Sequence, residues 1–277
     1  MATVGELLGA ARDLPGDSPR RDAEILLCHC LEKPRAWLYA WPESEVDTTS
    51  AERYLQMIDR RAQGTPVAYL TGQREFWSLQ LVVNEHTLIP RPETESLVEW
   101  ALSLPLPHDA KTLDLGTGSG AIALAVASER PGWCVMAVDN SIAALEVAAA
   151  NAASNDLARV CFLQSEWFSA LSGRRFHLLL GNPPYVDAAD QHLQQGDLRF
   201  EPRGALVAAD SGLADLASLI SEAPAHLEAD GWLLLEHGFE QGEQVRRLLH
   251  ERGFSAVATR RDLAGQERIS GGYWHVE

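Results

Sequence analysis

Two stretches of this 277-residue chain combine residue types and spacing that chemistry can use. The first is Asn182-Pro183-Pro184-Tyr185, which directly follows the apolar run Leu178-Leu179-Leu180-Gly181. The run has the length and composition of a buried strand, and it stops abruptly. Consecutive prolines hold φ at about −65° and remove backbone donors. Each also drives its predecessor out of the helical region, so Asn182 and Pro183 are expected to be extended. The product is a stiff ledge carrying an amide side chain, carbonyls without local donors and an aromatic ring. Such a set suits a planar nitrogen, whose N–H bonds the oxygens accept while the ring covers its face. Taken alone, the tetrapeptide reads equally well as a strand-ending turn.

The second stretch is Asp114-Leu115-Gly116-Thr117-Gly118-Ser119-Gly120-Ala121, with Asp139 lying 23 residues beyond Gly116. Glycines permit a tight strand-to-helix turn and a close backbone approach by a ligand. A carboxylate at the end of the following strand can accept both hydroxyls of an adenosine ribose. Gly116-x-Gly118-x-x-Ala121 also satisfies the relaxed dinucleotide fingerprint, which brings NAD into consideration. Two features favour S-adenosylmethionine instead. Asp114, inside the strand, would repel a pyrophosphate but could help to hold an ammonium- or sulfonium-bearing ligand. The proline ledge suits transfer to an amino or amide group, whereas hydride transfer has no use for it.

Asp-Leu-Gly-Thr-Gly-Ser-Gly, Asp139 and Asn-Pro-Pro-Tyr together resemble the class I S-adenosylmethionine-dependent methyltransferases that modify planar nitrogens. With Arg74-Glu75-Phe76-Trp77, Ile89-Pro90-Arg91-Pro92-Glu93-Thr94-Glu95 and Gln195-Gly196-Asp197-Leu198-Arg199-Phe200-Glu201-Pro202, the chain is similar to the glutamine-N5 methyltransferases of peptide-chain release factors, the PrmC/HemK type. The resemblance covers nearly the whole chain and is weakest in the first 15 residues. It implies that Gly116, Thr117, Gly118, Ser119 and Gly120 line the methionine moiety, that Asp139 holds the ribose, and that Trp167 packs near the adenine. Asn182, Pro183, Pro184 and Tyr185 would hold the substrate glutamine, with Asn182 also bordering the cofactor. Gly181 stands where a serine is common, which is expected to loosen the ledge, and Glu166 stands where an aspartate is common.

The surrounding pattern must position these residues. Residues 1–72 read as a small helical substrate-recognition module. Pro19 starts one helix, Thr49-x-x-Glu52 forms a capping box on another, and Trp37, Tyr39 and Trp41 supply core and rim. Residues 73–90 read as a β-hairpin linker turning at Ser78. Residues 91–277 read as a Rossmann-like catalytic domain with a mostly parallel seven-stranded sheet. Its expected strands are 112–115, 134–138, 160–163, 177–180, 232–236 and 255–259, with a last antiparallel strand over 267–275. Its expected helices are 120–129, 141–152, 212–223 and 240–251. Ligands of such sheets sit beyond the carboxyl ends of the strands.

Composition narrows the field. A net charge of −16 repels polyanions, and the basic residues are scattered pairs, so direct nucleic-acid binding is not expected. Cys28, Cys30, Cys134 and Cys161 have neither disulfide nor zinc spacing, and the histidines show no metal pattern. His237 is the one histidine expected near a ligand edge. The start of the chain has no basic or apolar leader pattern and no run could span a membrane, so a cytoplasmic protein without membrane contact is expected. The resemblance makes release factors the expected partner. The readings kept beside it are a ribosomal-protein glutamine methyltransferase, an adenine-N6 or cytosine-N4 nucleic-acid methyltransferase acting on a flipped base, a catalytically silent S-adenosylmethionine sensor, and a dehydrogenase.

Overall fold

The computed structural model describes residues 1–11, 14, 16 and 18–275. Two compact units emerge: Met1–Gln73 with Gln191–Phe200, and Arg74–Asp190 with Glu201–Glu277.

The first unit is helical: α1 (Val4–Ala10), α2 (Pro19–Leu31), α3 (Arg35–Ala40), α4 (Thr48–Ala62) and α5 (Val67–Thr71). Its core joins Leu7, Leu26, Leu27, Leu38, Tyr54 and Ile58. The capping box expected from Thr49 is not the cap of α4. Asp47 caps it instead, accepting from the Ser50 N–H at 2.9 Å. A carboxylate there satisfies an orphan donor and complements the helix dipole, whereas Thr49 lies inside the first turn. Leu38 takes the core position of α3, leaving Tyr39 and Trp41 exposed at the rim. Residues 191–200 pack with this unit. The Arg61 guanidinium donates to Asp22 at 2.8 Å and to Asp197 at 3.0 Å, and Arg199 donates to the Gln63 carbonyl.

The second unit opens with the hairpin β1 (Gln73–Phe76) and β2 (Leu79–Val82), followed by α6 (Glu95–Ser103). Trp77 and Ser78 both take positive φ, 51° and 62°, the geometry of a two-residue hairpin turn. The hairpin is part of the core, with Phe76 and Leu81 almost wholly buried. Then come β3 (Lys111–Leu115), α7 (Ala121–Glu129), β4 (Cys134–Asp139), α8 (Ile142–Ser154), β5 (Cys161–Gln164), β6 (Phe176–Gly181) and the short β7 (Val186–Asp187) and β8 (Val207–Ala208). The chain ends with α9 (Ala214–His226), β9 (Leu227–Glu236), α10 (Gly242–Arg252), β10 (Ser255–Arg261) and β11 (Glu267–Trp274).

The main sheet has seven strands in the order β10-β11-β9-β6-β3-β4-β5, with β11 antiparallel to both neighbours and the other paired strands parallel. Alternation along each strand feeds two cores. Leu178 and Leu180 join α6, α7 and the hairpin, while Leu179, Leu113 and Leu115 pack with α9 and α10. Strand order runs outward from β3 through β4 in one direction and from β6 through β9 in the other. The switch point therefore lies between β3 and β6, where a crevice opens beyond the carboxyl ends. Leu115 of β3 is in register with Gly181 of β6, so Gly116 and Asn182 leave the sheet side by side.

Candidate active site

The glycine loop turns through positive φ at Gly116 (72°), Gly118 (55°) and Gly120 (87°), conformations that a side chain resists. The N–H groups of Gly116 and Thr117 both donate to the Val138 carbonyl at 2.9 Å, pulling the loop toward the end of β4. There the Asp139 carboxylate accepts from Gly118 N–H and Ser141 N–H, each at 2.9 Å. A Cβ at Gly118 would meet nothing within 4 Å and would project into open space.

That space is a cavity of about 340 Å³, within the usual range for small-ligand sites. Gly116, Gly118, Asp139, Trp167, Asn182 and Pro184 all line it, so the loop, the acid and the ledge meet in one place. Trp167 holds a positive φ of 47° and stands over Gly116, where an added Cβ would come within 3.2 Å of its ring. Asp215 also lines the wall; burial raises its carboxyl above the ordinary range, and the Trp167 side chain partly offsets this.

Other expected residues serve the site from behind. Thr117 donates its hydroxyl to Asp114 at 2.6 Å, the buried Ser119 carbonyl accepts from Asn151, and Gly120 lies close to Ala148 and Leu124. None of the three lines the cavity. Asp114 is fully buried and does not line the cavity, and one of its oxygens also accepts from Ala123 N–H at 3.2 Å. Burial pushes its carboxyl up to about 7. Through Oδ2 it holds the loop.

On the ledge, Asn182 donates from Nδ2 to the Thr94 hydroxyl at 3.4 Å, and Pro183 is buried. The Tyr185 hydroxyl donates to Glu236 at 3.3 Å, and Tyr185 does not line the cavity. The loosening expected at Gly181 is absent. Gly181 is paired with Leu115 on one side and Leu235 on the other, and a Cβ would press within 3.3 Å of each neighbour. His237 is wholly buried, donating from Nδ1 to the Gly238 carbonyl and accepting at Nε2 from Ser270, both at 2.8 Å. Burial lowers its pKa, so it is a neutral structural residue.

Sequence reasoning missed part of the wall. Glu85, His86, Thr87 and Leu88 line the cavity from one side, and Pro202, Gly204 and Ala205 do so from another. An ion pair with its carboxylate buried joins the segments bearing them: Glu201 accepts from Ile89 N–H at 2.9 Å and also binds the Arg91 guanidinium. The motifs around Arg91 and Glu201 were the available signal, yet their pairing is a fact of the fold. Among the described residues, no group of three His, Cys, Asp or Glu side chains could hold a metal ion. No helix among them is long and apolar enough to cross a membrane.

A glycine-cradled cavity at the switch point of a seven-stranded sheet whose β11 runs antiparallel between β10 and β9 is the architecture of a class I methyltransferase. Residues 7–72 match the PrmC N-terminal domain family and residues 94–200 the methyltransferase small domain family. A release factor glutamine methyltransferase of Shewanella oneidensis is 53% identical over 93% of this chain and 90% of its own length. The Pseudomonas aeruginosa protein of that name is 52% identical over 99% of both chains, and the Escherichia coli one 48% identical over 94% of both. The chain belongs to the release factor glutamine methyltransferase family. Among solved structures, a methyltransferase from Pyrococcus furiosus shares the fold, with a TM-score of 0.56 at 16% identity over 83% of this chain and 100% of that one. A T. thermophilus 16S rRNA methyltransferase solved with AdoMet and guanosine gives a TM-score of 0.50 at 21% identity, over 73% of this chain and 49% of that one.

Proposed function

We propose that this enzyme transfers a methyl group from S-adenosylmethionine to the side-chain amide nitrogen (N5) of a glutamine in a peptide-chain release factor, the glutamine of its Gly-Gly-Gln loop. The observation that carries this reading is the convergence of Gly118, Asp139 and Asn182 on one cavity. The residues present fit the cofactor. Open space beside the Cβ-less Gly118 admits a close backbone approach, the Asp139 carboxylate has lone pairs for ribose hydroxyls, and the Trp167 ring offers a face for a base. When bound, S-adenosylmethionine supplies an electrophilic methyl on a sulfonium.

The remaining task falls to the chain. An amide nitrogen is a poor nucleophile because its lone pair is delocalised into the carbonyl. Asn182 Oδ1 and the Pro183 carbonyl accept its two N–H bonds and aim the remaining lobe at the methyl. These bonds strengthen as positive charge develops on nitrogen, which favours the transition state over the ground state. Holding the reacting atoms at about 3–3.5 Å supplies much of the remaining rate. The alkylated amide is acidic enough to release its proton to water, so no general base is required. The Tyr185 ring, tethered through its hydroxyl to Glu236, braces the ledge.

The direct test is transfer of radiolabel from S-adenosylmethionine to a purified release factor, beside a variant with the loop glutamine changed to alanine and beside duplex DNA. Label on the unaltered factor alone is expected. Label on DNA, or equal label on the glutamine-less factor, refutes the reading.

A further inference from the structure

Asn151 is fully buried on α8 and does not line the cavity, yet its amide joins two segments that do. Oδ1 accepts from the Val82 N–H at 2.7 Å, while Nδ2 donates to the Val82 carbonyl at 3.0 Å and to the Ser119 carbonyl at 2.9 Å. These partners fix the amide's orientation, since the reverse would set oxygen against two carbonyls and NH₂ against an N–H. The bonds to Val82 are the pair that one antiparallel strand exchanges with its neighbour. β1 and β2 form a two-stranded sheet, and Asn151 supplies at Val82 what a third strand would.

The bond to Ser119 meets a need at the start of α7. In a regular helix the Ser119 carbonyl would accept from the Ala123 N–H, but that N–H donates to Asp114 Oδ2. The next donor, the Leu124 N–H, is taken by the Gly120 carbonyl. Ser119 is buried, so its carbonyl depends on a donor from within the protein, and Asn151 provides it.

Both anchored points lead straight to the cavity. Ser119 follows Gly118, which lines the cavity and whose N–H reaches Asp139. Val82 lies just ahead of Asn84, whose carbonyl accepts from the Thr87 N–H at 3.0 Å; this tight turn carries the chain into the wall formed by residues 85–88. We propose that Asn151 is a positioning residue for the cofactor, holding the glycine loop and the 85–88 wall at a fixed separation before the ligand arrives. This rests on the reading of the cavity as the S-adenosylmethionine site. Without the amide, the ligand must order both segments as it binds, and affinity falls.

Asn155, just past the end of α8, provides the control. Its Nδ2 donates to the Gln80 carbonyl at 3.0 Å, tying the same helix to the same hairpin, and its other side-chain bonds go to the Asn151 carbonyl and the Ser154 hydroxyl, not to the glycine loop. Asn151→Leu keeps nearly the same shape and removes all three bonds of the amide. Asn155→Ala loosens the hairpin and leaves the loop bond in place.

The experiment measures S-adenosylmethionine affinity by calorimetry, kcat at saturating cofactor, stability in urea, and hydrogen exchange of the Gly118 amide in unliganded protein. For Asn151→Leu, cofactor Kd is expected to rise on the order of tenfold to hundredfold, with kcat within about threefold. Its Gly118 amide should exchange at least about tenfold faster. In Asn155→Ala, both Kd and Gly118 exchange should stay within about twofold of wild type while stability falls. An unchanged Kd in folded Asn151→Leu overturns the proposal, as does an equal rise in Kd in Asn155→Ala. If Asn151→Leu does not fold, Asn151→Ala decides by the same measures. If neither folds, the wild type decides: the Asn151 side-chain amide protons must resist exchange in unliganded protein, and free exchange overturns the clamp. Should the wild type fail to bind S-adenosylmethionine, the cofactor reading fails. The clamp is then still upheld by Gly118 exchange that quickens in Asn151→Leu but not in Asn155→Ala, and overturned if the two behave alike.

Discussion

Asp114→Asn should make this fold more stable above neutral pH, an unusual outcome for a residue inside a nucleotide-type loop motif. The wild-type carboxyl is fully buried, with its folded pKa raised from 3.8 to about 7. The folded state therefore holds the proton more tightly than the unfolded state does. The stability this proton contributes is complete below the unfolded pKa and drains away as pH rises through the folded one. A shift of this size corresponds to about 4 kcal/mol between acid and mildly alkaline pH. Asparagine does not titrate. It also keeps the local bonds, because the Thr117 hydroxyl and the Ala123 N–H both donate to the same oxygen, Oδ2. The other oxygen has no partner, so an NH₂ in its place gives up no bond. Urea denaturation of both proteins at several pH values from 4.5 to 8 is the assay. The variant's stability minus that of the wild type should climb with pH by most of the ~4 kcal/mol. Taking the difference cancels the other shifted carboxyls, including Glu236, which titrate in both proteins. A difference that stays flat across this range would mean that Asp114 is stabilised as an anion, and the account of the loop given above would be wrong.

Asn182→Ala should lower methyl transfer by at least about a hundredfold while cofactor Kd, measured by calorimetry, stays within about threefold. Parallel loss of both would assign Asn182 to cofactor binding instead. Gly118→Val places a branched side chain in the cavity at a φ of 55°, so it should abolish cofactor binding in the same assay and cost about 1–2 kcal/mol in denaturation. Retained binding would show that the cofactor does not pass close to this backbone.

The strands around the site are legible in sequence because a strand covered on both faces is predominantly apolar. Leu178-Leu179-Leu180 is such a run, and β6 and β3 extend beyond the expected spans by no more than a residue at either end. β9 is the exception: it begins at Leu227, well before the expected Trp232. Its first half carries Glu228 and Asp230, the latter at a φ of 65°, and pairing with β6 shifts register between Phe176 and Leu178. Irregular pairing of this kind leaves no periodic trace. Asn151 was equally hidden. Within an alanine-rich helix it passes for a surface residue, yet it is fully buried, exchanging hydrogen bonds with both backbone groups of Val82 and donating to the Ser119 carbonyl. It couples the hairpin to the glycine loop, which makes the hairpin part of the catalytic unit's core.

The same distinction runs through the site. Gly118, Asp139 and Asn182 could be read from the chain because each acts through what its own type and its immediate neighbours dictate: backbone freedom, charge at a strand end, an amide fixed by prolines. Glu201 acts only through partners distant in sequence, the Ile89 N–H and the Arg91 guanidinium, and nothing local marks it as their acceptor. The sheet turns these separate signals into one geometry. Because β3 and β6 are adjacent, parallel and in register at Leu115 and Gly181, whatever follows each strand must emerge at the same crevice, however far apart the motifs lie in the chain. Gly181 sharpens this. With the Leu115 carbonyl and the Leu235 side chain each 3.3 Å from where its Cβ would be, the absence of a side chain lets both neighbouring strands close in immediately before the ledge. A side chain there would need these neighbours to give by a few tenths of an ångström. Gly181 needs no such adjustment where the chain leaves the sheet for the ledge.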